Sequence, residues 1–211
     1  AGGGFSMKSV IPKPIKDDVR KQHKELYSVS KGATQVKILD IPSMKFIVAS
    51  GIAKVDFNSG VRGIRECNMI FVCNNRIRSY TVREQNKNFI MSPFELEWGN
   101  QIDNGRQVKI SMWVPQYVTQ TELKAAMTDR LGSDNHPLSL EESEPGMCAQ
   151  ALHTGHYNEV GRTLERIKHY VEDQGYRGDY HQYKEIHMSH VSIGWPEKTN
   201  LIIRVPISEK S

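Results

Sequence analysis

MCAQALHTGHYNEVGRTLERIKHYVEDQGYRGDYHQYKEIHMSH, residues 147–190, decides the fold. MCAQALHTG reads as a strand that Gly155 can turn sharply. NEVGRTLERIKHYVEDQG then sets Val160, Leu164, Ile167 and Val171 on one helical face, and Gly175 closes it. YHQYKEIHMSH and LIIRVPIS follow as strands, so the run is strand, helix, strand, strand. A hairpin cannot bury both faces alone, so the helix is expected on one side of its strands.

The upstream chain offers the same order. VKILDIPSMKFIVASGIAKV (36–55) is rich in β-branched residues and breaks at Pro42-Ser43, which predicts two strands or one strand with a kink. A helix is predicted within 58–86 from Val61, Ile64, Phe71 and Val72, although Gly60, Gly63, Asn74 and Asn75 weaken the pattern. FIMSPFELEWG (89–99) and VKISMWVPQYV (108–118) form a hairpin with a long loop. TQTELKAAMTDRLG (119–132) carries a capping-box spacing, Thr119 with Glu122, and ends at Gly132. SDNHPLSLEESEP (133–145) is a polar, acidic connector. The expected fold is α+β: two tandem βαββ units about a pseudo-two-fold axis, with a ligand cleft between them. Residues 36–145 make the first unit plus a linker helix, and 146–211 make the second, in one globular domain. Before them, 7–35 form an arm kept extended by Pro12 and Pro14, then a helix burying Val19, Leu26 and Tyr27. Residues 1–6, AGGGFS, read as a cloning remnant, with Met7 as the native start.

Composition excludes several classes. The 211 residues carry 28 Lys+Arg against 24 Asp+Glu, a net charge of +4 without clustering, which does not suit nucleic-acid binding. Mean hydropathy is -0.53 and no apolar run reaches membrane-span length, so no membrane partner is expected. Three cysteines without CxxC spacing point to a reducing, cytoplasmic location. No Walker loop, GxGxxG or GxSxG is present, and the histidine pairs His153/His156 and His187/His190 lack ligand spacing, so neither cofactor nor metal is expected.

Strand alternation puts Tyr183, Glu185 and His187 on one face and Lys184, Ile186 and Met188 on the other. Ile186 and Met188 suit the helix-covered side, which sends Glu185 to the opposite face as a cleft wall. A carboxylate in a partly dry aromatic cleft suits cation binding or general-base work; the alternative is a solvated surface glutamate. Trp98, Trp113 and Trp195 offer platforms for a flat ligand or anchors for a core. Glu95 and Glu97 have opposite parity to Trp98, so all three meet one cleft only across a bulge.

KDDVRKQHKELYSVSKGATQVKILDIPSMKFIVASG (16–51), PFELEW, MWVPQYVT, MCAQALHTGHYNEV, GYR, YKEIHMSH and PEKTNLIIRVPI together resemble the GyrI-like proteins. The resemblance implies a concave cleft with Glu185 on its floor, Tyr157 at the turn before the helix, and Trp98 as the cleft aromatic. It departs at His156, where the family has proline, at His187, where it has an aromatic, and over 54–86. Some stand-alone members hydrolyse cyclopropanoid alkylating compounds. The resemblance therefore implies a detoxifying hydrolase of cyclopropylindole-type electrophiles, with Glu185 activating water and Tyr157 donating to the developing oxyanion. Trp98, Trp113, Glu95, Glu97, Tyr183 and His187 would bind the ligand, a flat aromatic or electrophilic natural product. The alternative is a non-catalytic protein that sequesters flat aromatic or cationic drugs. Oligomeric state is left open.

Overall fold

The computed structural model describes residues 10–56, 60–189 and 199–211. The readings placed on residues 1–6, Met7, His190 and Trp195 fall outside them. A two-residue β1 (Lys16–Asp17) and a one-turn α1 (Val19–Gln22) open the chain, and a 3-10 turn spans Lys31–Thr34. The expected longer helix is therefore corrected. Asp18 caps α1 through the Arg20 amide, but the chain leaves helical geometry at His23. Val19, Leu26 and Tyr27 are nevertheless buried.

Pro42-Ser43 separates β2 (Lys37–Ile41) from β3 (Met44–Asp56), so of the two readings the two-strand one holds. A short β4 (Gly60–Arg62) leads to α2 (Arg65–Gln85). The glycines precede this helix, and Asn86 ends it in the left-handed conformation with its amide on the Thr81 and Val82 carbonyls. β5 (Asn88–Phe89), β6 (Phe94–Ile102) and β7 (Gly105–Val114) follow. The β6–β7 connection is not a long loop but a tight turn at Asp103-Asn104, with Ile102 opposite Gly105. α3 (Gln120–Leu131) has the anticipated capping box and a left-handed Gly132. The acidic connector contains an unanticipated strand, β8 (Ser139–Ser143), which pairs with β3.

The second unit is β9 (Gly146–Gly155), α4 (Val160–Asp173), a short β10 (Tyr176–Gly178), β11 (Lys184–His187) and β12 (Thr199–Glu209). The sheet runs β2–β9–β12–β11–β6–β7–β3–β4 and its pairings are antiparallel. The order β3–β7–β6 in the first unit matches β9–β12–β11 in the second, and β6 meets β11 at the pseudo-two-fold axis. The fold is α+β, two βαββ units in one sheet.

Directly opposed residues in antiparallel strands share a face. Glu185 opposes Leu96 and Ile203, and His187 opposes Phe94, Leu201 and, through Leu201, His153. His153 bonds Thr163 of α4, and Gly51, on the same face through Val108 and Trp98, abuts Glu66 of α2. Both helices thus cover the face that carries Glu185. The opposite face receives the Leu26–Tyr27 segment, whose carbonyls at Glu25 and Leu26 accept bonds from Gln150 and Arg204. Among the described residues no helix is long and apolar enough to cross a membrane.

Candidate functional site

Tyr183, Glu185 and His187 share a face as their alternation requires, but it is the helix side. The expectation that Ile186 would meet the helices is corrected: Ile186 opposes Glu95 and Ile202 on the reverse face and is fully buried there. Glu185 is also 0% exposed. A charge that dry needs donors. The Tyr157 hydroxyl donates to Glu185 Oε1 at 2.9 Å and Oε2 at 3.1 Å, and His187 Nε2 stands 3.1 Å from Oε2.

Local structure at the 155–160 turn presents Tyr157. Gly155 adopts φ 109°, and His156 Nδ1 accepts from the Asn158 amide, capping a 3-10 turn (Tyr157–Glu159) that runs into α4. His156 thus supplies the cap of this turn. His153 is spent on the same turn, with Nδ1 2.8 Å from Thr163 Oγ1 and Nε2 2.9 Å from the His156 carbonyl. Among the described residues no group of three or more His, Cys, Asp or Glu is gathered as a metal site.

Arg106 joins these residues to Trp98. Its guanidinium lies 5.3 Å from the Trp98 ring centroid and its Nε donates to the Gly99 carbonyl at 3.0 Å. Burial and the neighbouring Glu185 charge push the Tyr183 hydroxyl up to about 12, while Arg106 lowers it by charge and a hydrogen bond. Burial, then Glu185, raises Tyr157 far above the ordinary phenol range. Both phenols are held as donors. An open groove of about 850 Å³ reaches this cluster and is lined by Trp98, Glu97, Glu66, Arg65, Gly51, Lys109 and Gln182, among others. Glu185 and Tyr157 do not line it; Trp98, Arg106 and Tyr183 connect it to them.

The sheet separates the remaining candidates. Glu95 opposes Ile186 and Ser111 on the reverse face, 1% exposed, with Tyr27 Oη 3.3 Å from Oε2, and Lys184 Nζ and Arg204 Nη1 3.4 and 4.0 Å from Oε1. Trp113 opposes Phe46 on that same face and meets Phe89 edge to face at 6.3 Å. Neither reaches the Glu185 cluster. Glu97 also follows the reverse-face parity, yet it lines the groove with Trp98, where the β6–β7 register shifts between Trp98 and Gln101. Sequence reasoning missed Arg106 and Glu66. The Asn-Gly turn, taken as tight, would have placed Arg106 opposite Gln101, whereas Glu66 carries no signal beyond an acidic first helical turn.

No protein-family model and no curated protein matches the sequence. Among solved structures, the chain is similar to a hydrolase encoded by lin2189 from Listeria innocua, with 21% identity, a TM-score of 0.79, and 92% of this chain and 100% of the other covered. Another Listeria innocua hydrolase structure matches with the same identity and coverage and a TM-score of 0.77. The EcmrR C-terminal domain matches at 11% identity over 83% of this chain and 98% of its own, with a TM-score of 0.51. At such identities the likeness establishes a shared fold.

Proposed function

We propose that this chain is a GyrI-like detoxifying hydrolase that opens cyclopropanoid electrophiles of the cyclopropylindole type in the cytoplasm. The observation that carries the reading is the buried Glu185 carboxylate, held by Tyr157 and His187 on the same sheet face as Trp98 and Tyr183. The shared fold with proteins named as hydrolases supports it. In such a substrate a strained cyclopropane is conjugated to a dienone. Glu185 takes a proton from water as the water oxygen bonds the cyclopropane CH₂. The ring C–C bond breaks, and its electron pair passes through the dienone to the carbonyl oxygen, which becomes a phenolate, stays on the ring and is then protonated. Restored aromaticity supplies much of the driving force, so the protein needs a positioned base, an aromatic platform and a donor.

Tyr157 changes role in this scheme. Its hydroxyl is committed to Glu185, at the end of the substrate where water attacks, whereas negative charge develops at the far end. Tyr157 is therefore a positioning residue for the base. Trp98 is the platform at the groove. The second reading, sequestration of flat cations without turnover, draws on Glu66 and Glu97, whose carboxylates line the same groove.

The test is single-turnover hydrolysis of a cyclopropylindole compound by wild type and Glu185→Gln at matched saturation, with the product identified as substrate plus one water. A rate loss of roughly 10²–10⁴-fold is expected. Absence of turnover by wild type, or equal rates in both proteins, overturns the reading.

A further inference from the structure

Resting on that reading, the geometry points to Arg106 as the residue that selects the ligand's charge: the site takes an uncharged or anionic flat aromatic, aims its acceptor oxygen at Arg106, and rejects cations. Four observations converge. The Arg106 guanidinium lies over the Trp98 ring at 5.3 Å, within the roughly 6 Å reach of a cation–π contact, so one face of the indole already holds a cation and a second cation brought to the ring would be repelled by it. The Gly99 carbonyl fixes the guanidinium through Nε at 3.0 Å. Arg106 shares the sheet face of Trp98 and Glu185, because Val108, two residues on, opposes Trp98, and both faces alternate with period two. Its charge therefore acts within the cluster, where it lowers the hydroxyl pKa of both Tyr157 and Tyr183.

The fourth observation concerns Trp98 itself. Its indole N–H is buried and has no partner among the described residues. A buried donor without an acceptor is costly, and a ligand oxygen would satisfy it. Trp98, Arg106 and Tyr183 thus form a donor-rich end, while Glu185 with its Tyr157 and His187 partners forms the acceptor end. An ionised ammonium at the donor end would meet a fixed guanidinium at close range and lose the ring face to it. An oxygen that gains negative charge would instead be stabilised there more strongly as the reaction proceeds, which is what transition-state binding requires.

The backbone supports this placement. Gly105, immediately before Arg106, adopts φ 144°, and a Cβ there would overlap the Ala53 carbonyl. β7 therefore approaches β3 closely beside the arginine.

The experiment uses two probes of one shape and opposite charge, 1-naphthoate and 1-naphthylmethylammonium, with binding followed by calorimetry. Wild type is expected to favour the naphthoate by roughly tenfold or more. Arg106→Gln removes the charge and is expected to abolish that preference, whereas Arg106→Lys keeps it. Melting curves confirm that the variants are folded. A cation preference in wild type, a ratio unchanged in Arg106→Gln, a preference lost in Arg106→Lys, or no binding of either probe overturns the inference. The charge ratio and catalytic turnover are separate readouts. A naphthoate preference that Arg106→Gln abolishes, with no turnover of cyclopropylindole by wild type, removes the hydrolase and leaves the selectivity. Turnover with a ratio unchanged in Arg106→Gln does the reverse.

Discussion

The Tyr157 hydroxyl spans both oxygens of the Glu185 carboxylate, at 2.9 and 3.1 Å, although the two residues lie on different elements of the second unit. A single donor shared by two acceptors locks the carboxylate plane as well as its charge. Tyr157→Phe should cost about 1–3 kcal/mol of stability, because a buried charge loses a donor. It should also lower kcat more than it raises KM, since the base is misoriented rather than lost. A Tyr157→Phe enzyme with wild-type kcat would show that the bond is only structural.

The two tryptophans should separate cleanly. Trp98 lines the groove and Trp113 packs on Phe89 across the sheet. Trp98→Ala is expected to weaken ligand binding by roughly 1–3 kcal/mol. Trp113→Ala is expected to cost about 3–5 kcal/mol of stability while leaving affinity near wild type. Calorimetric titration and urea unfolding of both variants decide it, and the reverse pattern would place the ligand on the other face.

Glu95 should behave as a stability residue. Its partners Tyr27, Lys184 and Arg204 tie the N-terminal segment to both units, so Glu95→Ala leaves Arg204 buried without its carboxylate. A loss of roughly 3–5 kcal/mol is expected, with turnover preserved in the folded fraction. Turnover abolished in fully folded protein would count against a purely structural role.

Alkaline pH should destabilise the fold early. Burial first, then a nearby carboxylate, pushes Tyr183 and Cys67 each up to about 12. The unfolded chain releases these protons near its ordinary values of about 10 and 8.5, while the folded chain keeps them. Below those values the stabilisation is fully present. Above them the unfolded state binds fewer protons, so stability falls as pH rises toward 12. Thermal melting between pH 8 and 12 should show this decline, and Tyr183→Phe should flatten it. An unchanged slope in Tyr183→Phe would remove that phenol from the linkage.

Much of the architecture was legible because its signals are local. The Thr119–Glu122 box, Gly132 and the Pro42 break each act within a few residues and appear where the pattern predicts. The face shared by Tyr183, Glu185 and His187 was equally legible, since strand parity needs no tertiary information. Which face the helices cover was not. β11 is dry on both sides, with Glu185 and Ile186 each 0% exposed, so an apolar residue does not distinguish helix from N-terminal segment. β8 escaped notice because its Ser-Leu-Glu-Glu-Ser sequence is that of an edge strand with a solvated face. Arg106 escaped because a lone arginine after a turn looks like a solvated charge until the hairpin geometry lays it on Trp98.

β2 lies at the start of the 36–145 span yet pairs with β9 of the second unit, setting Lys37 opposite Gln150. Such pairing over a long loop carries a closure cost that is met only late in folding. Without the second unit, β2 would have no β9 to pair with and Glu95 would lack the Lys184 and Arg204 charges that face it. The first half taken alone would thus keep a bare strand and an uncompensated acid. β9, β11 and β12 supply those partners, so each half is complete only in the presence of the other.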